Sequence, residues 1–198
     1  MATIGKAAVL TGTAVSIDLL MSVIGLAPLS ASPFGTAEGG SLFADNSDHT
    51  FFNSSLETIT RDAVAHGRVN ALDNGTDMTT QLLGSVDGNT DVVSYDANYT
   101  TYWNIQWDNQ TGQGNIYGAT KCVSTSGAGS GRCQKYEVRY DLPDIQAATV
   151  DTRNTVACHE IGHTVGLGHG AADSCMLASN ATSTGYSQHD KDHINSKY

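Results

Sequence analysis

Residues 158–170 read CHEIGHTVGLGHG, and the pattern H-E-x-x-H-x-x-G-x-x-H inside them constrains this chain more than any other feature. On a helix, His159 and His163 stand one turn apart on the same face. Two imidazoles so placed can bind one Zn²⁺ between them, each at about 2.0–2.1 Å. Glu160 sits beside the first histidine, placed to work on a water at the metal rather than to ligate it. A straight helix would carry His169 away from that ion, so the chain must turn sharply after His163. Gly166 stands where the turn is needed, because glycine accepts positive φ at a helix end at low cost. The third imidazole then closes a His₃ site and leaves a fourth position open. Given 7 His and 21 Gly among 198 residues, these five fixed residues arise by accident on the order of once in 10⁵ such chains.

With those residues in place, the chain resembles the metzincin zinc endopeptidases, and within them the matrixin-like and secreted actinobacterial members. The resemblance is specific over residues 152–177 and looser over 50–150 and 178–198. It implies a methionine in a tight turn below the metal, and Met176 follows the third histidine at a suitable distance. It also implies an α+β, single-domain fold: a twisted, mostly parallel sheet, two long helices and a small C-terminal subdomain ending in a helix. Small secreted proteases of the snapalysin type are similar in size but carry Asp at the third ligand. Some metzincins place a tyrosine two residues after the methionine; here that position is Ala178, which leaves Tyr186 as the candidate for the role.

The activity implied is hydrolysis of internal peptide bonds, with one catalytic zinc ion held by His159, His163 and His169 and Glu160 as the base. Two rival readings stay open: a secreted zinc-binding module without proteolysis, and a zinc amidase acting on a non-protein amide. The partners expected are a protein or peptide substrate, no nucleic acid, and no membrane once a signal segment is removed, with the chain a monomer. A net charge of −10 argues against nucleic acid and anionic membranes, since both call for a basic face.

Residues 1–31 differ from the rest. Lys6 precedes an apolar stretch from Ala7 to Ala27, broken by Asp18, and small residues follow. The segment reads as a signal peptide, and export is expected. Residues 32–50 are polar and Gly-rich, a possible short pro-segment without a cysteine to block zinc. The catalytic domain is expected over 51–198.

Ser54-Ser55-Leu56-Glu57 reads as a capping box opening a helix that ends at Asp73-Asn74-Gly75. Strands are expected at Asp91–Tyr95, 114–123 and 134–142, with an aromatic stretch from Tyr99 to Trp107. Among metzincins one edge strand receives extended substrate, and 114–123 is the candidate here. The active-site helix is expected over 151–167, capped by Asp151 or Thr152. Asp87-Gly88-Asn89-Thr90-Asp91 begins like a calcium loop but reads as a polar turn, so calcium lacks support. His189 and His193 also stand four apart, on a charged terminal helix.

Four cysteines allow three pairings. Seen with the methionine turn, the pairing Cys122–Cys133 and Cys158–Cys175 fits best, since the second bond would fasten the floor of the site to its helix. The rival is that Cys158 or Cys175 ligates the metal.

Overall fold

A computed structural model describes Ile17–Leu19, for which only the backbone is considered, and residues 34–35, 41–107, 115–127, 129–170, 173–178 and 181–198. Most of the expected signal segment lies outside the described residues.

The sheet is built from β1 (Ile17–Leu19), β2 (Phe43–Ala44), β3 (Asp48–Asn53), β4 (Thr79–Leu82), β5 (Val92–Ala97), β8 (Gly118–Thr125) and β9 (Arg132–Asp141), in the order β1-β8-β9-β5-β3-β4 with β2 also on β9. A separate hairpin joins β6 (Thr101–Tyr102) and β7 (Ile105–Gln106). The β9–β5–β3–β4 pairs are parallel, while β8 runs antiparallel to β9. This is the mostly parallel α+β sheet expected. Along β9, Tyr136, Val138 and Tyr140 are buried while Glu137 and Arg139 are less so, the period of two that faces alternate side chains to a core. In β5, Val92, Val93 and Ser94 are all buried, as a central parallel strand covered on both faces requires.

Helix α1 (Thr58–Ala65) runs into a π-helical stretch, His66–Leu72, and together they cross from β3 to β4. The expected capping box does not form. Ser55 takes φ 57°, Glu57 becomes the N-cap without a side-chain cap, and its N–H donates to Asp96 Oδ2 at 3.0 Å. Asp73 ends the element as expected, its carboxylate accepting from the backbone N–H and hydroxyl of Thr80.

A short helix α2 (Leu142–Ala147) leads into α3 (Val150–Thr164), the helix carrying the histidines. Its cap is Thr149, whose hydroxyl accepts from Thr152 N–H at 3.2 Å. The expected Asp151 instead lies in the first turn, where its charge suits the positive end of the helix dipole. Helix α4 (Gln188–Lys197) closes the chain, opened by a capping box between Ser187 and Asp190.

The main core lies between the sheet and the helices and includes Phe51, Leu72, Val92, Val138, Ile161, Leu167 and Met176. Tyr99, Ile105, Trp107, Ile116 and Ala119 form a second cluster that includes the β6–β7 hairpin. Each large aliphatic side chain buried in this way contributes about 1.5–3 kcal/mol. The sheet also draws on chain before residue 51. β3 starts at Asp48 and β2 pairs with β9, while Phe34 bridges to Leu167. Tyr198 joins two of these pieces, accepting from Ala44 N–H at 2.6 Å and donating to Val165 O at 3.1 Å.

Candidate metal centre

Helix α3 is buried from Thr155 to Thr164, an environment that suits Val156, Ala157 and Ile161 but is costly for polar groups. His159, Glu160 and His163 are each at most 1% exposed. The histidines are held from behind. His159 Nδ1 donates to Cys175 O and His163 Nδ1 donates to Leu167 O, both at 2.8 Å. Since each neutral ring carries one proton, these bonds place it on Nδ1 and turn the Nε2 lone pairs inward.

Those two Nε2 atoms lie 3.0 Å apart. Neutral lone pairs facing at that distance repel, and a shared cation would relieve that repulsion. Burial and the neighbouring His169 push the His163 pKa down to about 3, keeping the ring neutral as a metal ligand must be.

His169 completes the cluster. Ligand atoms of His159, His163 and His169 all lie within 4.8 Å of one another, forming the one group of three or more candidate ligands among the described residues. The turn that returns His169 is a Schellman cap: Leu167 N–H donates to Gly162 O at 3.1 Å and Gly166 N–H to His163 O at 3.3 Å. Gly166 takes φ 99°, the positive value that its place in the motif anticipates.

The cysteines form Cys122–Cys133 and Cys158–Cys175 disulfides, so neither Cys158 nor Cys175 is available as a thiolate ligand. The second bond joins α3 to the turn at 173–176. In that turn Met176 is fully buried, its N–H donating to Ser174 Oγ and its carbonyl accepting from Gly170 N–H. Met176 packs against Gly162, where an added Cβ would collide with the methionine sulfur. Gly162 is thus a residue the motif's x positions conceal; only the approach of the turn from below reveals why it is small.

Tyr186 does not serve the role considered for it in this structure. Its hydroxyl donates to Cys158 O at 3.0 Å, so it braces the middle of α3. His66 Nε2 donates to Thr184 O, which anchors the same loop. In the segment 87–91, Asp87 accepts from Asn89 N–H and bonds Thr90, the polar turn expected.

β8, which includes most of the 114–123 candidate, is the strand alongside the site. Its outer edge pairs antiparallel with Ile17–Leu19. Two of its residues that the sequence did not single out, Gly118 and Thr120, abut Glu160.

No profile of a known protein family and no curated protein matches the chain. Among solved structures, it is similar to archaemetzincin from Archaeoglobus fulgidus, crystallised with malonate, at 14% identity and a TM-score of 0.40, covering 74% of this chain and 99% of that one. It is also similar to myroilysin at 16% identity and a TM-score of 0.38, covering 73% of this chain and 60% of that one. Likeness at those scores is too slight to carry function across. What the chain does is therefore argued from the triad and the groups around it.

Proposed function

We propose that this protein is a secreted zinc-dependent endopeptidase. The observation that carries the reading is the cluster of three imidazoles with Glu160 beside it. The donor set fits zinc: three imidazole nitrogens, two with their tautomer set by carbonyls, and no thiolate to close the remaining position. His159, His163 and His169 would hold the ion, which when bound lowers the pKa of water towards about 7 and polarises a substrate carbonyl. Glu160 accepts the proton of the attacking water and passes it to the departing amine, a carboxylate acting first as base and then as acid. Met176 packs beneath the ligands without touching substrate.

Two disulfides are compatible with an oxidising compartment, and no helix among the described residues is long and apolar enough to cross a membrane. The test is zinc analysis of purified protein with a casein-cleavage assay, repeated after chelation and after zinc is restored. One zinc per chain and chelator-sensitive cleavage, recovered on adding zinc, support the reading. Zinc-loaded protein that leaves casein and gelatin intact overturns it.

A further inference from the structure

The carboxylate of Glu160 lies in a slot formed by β8. The hydroxyl of Thr120 is 2.7 Å from Glu160 Oε2 and 3.0 Å from Glu160 O. It has a single proton to give, and the carboxylate oxygen is the closer acceptor, so the proton goes there. Thr120 itself is 3% exposed and Glu160 is fully buried, so water does not compete readily for this contact. Two residues away, a Cβ on Gly118 would lie 2.8 Å from Glu160 Cγ and 2.9 Å from Oε1. The slot thus has a bare wall at Gly118 and a hydrogen-bond donor at Thr120. Both belong to a strand whose register is set by β9, where Thr120 pairs with Val138 and Gly118 with Tyr140.

A glutamate has three side-chain torsions, and a base is effective only when its oxygen is held within hydrogen-bond reach of the proton it takes. We infer that Thr120 is a positioning residue for the reaction, tying down Oε2 and so fixing the rotamer in which Glu160 meets the attacking water. This rests on the peptidase reading and adds to it a residue outside the zinc motif. The role concerns orientation of the base, so it predicts a loss in turnover without a loss in substrate or zinc binding.

The test compares zinc-loaded parent, Thr120→Val and Thr120→Ser for kcat and KM on labelled casein, zinc content and melting temperature. Valine keeps the branched shape and removes the hydroxyl, whereas serine keeps the hydroxyl. The expected result is a kcat lowered about 10–100-fold in Thr120→Val, the range typical of groups that orient active-site residues. KM and zinc content stay at parental values, and Thr120→Ser restores most of the rate. Parental kcat in Thr120→Val overturns the inference. So does an equal fall in both variants accompanied by loss of zinc or of melting temperature, because that marks a packing defect. An inactive zinc-loaded parent overturns the peptidase reading, and the Thr120 role with it.

Discussion

His49 Nε2 lies 2.9 Å from Thr164 Oγ1, a buried bond joining β3 to the end of the helix that carries His159 and His163. The hydroxyl of Thr164 already donates to Ile161 O at 2.7 Å, so the proton in the bond belongs to the imidazole. His49 therefore carries a proton on Nε2, with Nδ1 3.9 Å from the Asp91 carboxylate, and burial keeps the ring neutral. One buried ring thus helps register the metal-site helix against β3.

Burial drives the His49 pKa down to about 3, below the value of an unfolded histidine. Between those values the unfolded chain binds the extra proton and the folded chain does not. The resulting stability is complete above about pH 6.5 and is lost as pH falls towards 3. Asp91 works in the opposite sense, since burial raises its pKa and the folded state holds its proton more readily. Denaturant midpoints of metal-free protein measured from pH 7 to pH 4 should fall with a contribution from His49 of at most about 1.4 kcal/mol per pH unit. In His49→Gln that dependence should flatten; a slope identical to the parent's would mean His49 is not the group responsible.

Glu160→Gln keeps the size and nearly the shape of the side chain while removing its basicity. Zinc content should match the parent, and casein cleavage should fall to the background of the assay. Cleavage at the parental rate would show that another group takes the proton.

Gly166→Ala tests the bend that returns His169. Alanine at φ 99° is strained, and its Cβ would approach Phe43 Cδ1 to 2.9 Å. A destabilisation of about 1–3 kcal/mol is expected from the backbone conformation. Zinc affinity, measured by competition with a chromophoric chelator, should weaken as well. Unchanged affinity would separate the bend from the metal site.

Replacing both Cys158 and Cys175 by Ala removes a bond spanning 17 residues. Loop entropy puts its contribution at about 3 kcal/mol. Because Cys175 O also accepts from His159 Nδ1, the loosened turn should lower zinc affinity too. Denaturation under non-reducing conditions and zinc competition measure the two effects, and a variant equal to the parent in both would deny the bond a supporting role.

The three clustered imidazoles, the glutamate beside them and the turn at Gly166 were all legible in one short run of sequence, because helical spacing and a glycine-dependent turn are local properties. The strands at 92–97, 118–125 and 132–141 were visible through alternation and β-branched or aromatic residues. Local patterns misled where an outside partner intervened. Ser54 and Glu57 have the spacing of a capping box, yet Asp96, across the fold, takes the Glu57 N–H. The start of β3 fell in the polar run 32–50, since His49 and Thr50 find polar partners in Thr164 and Asp91, so hydrophobicity alone did not mark it.

By itself, then, the order of residues determined which side chains could gather round a metal and how α3 had to end. Tertiary structure alone decided that Thr120 and Gly118 border Glu160, that Gly162 must be small above Met176, and that Phe34, Gly35 and Phe43 pack about the end of α3. Those relationships join positions tens of residues apart through close packing and buried hydrogen bonds, and a periodicity read along the chain carries no record of which distant surface it will meet.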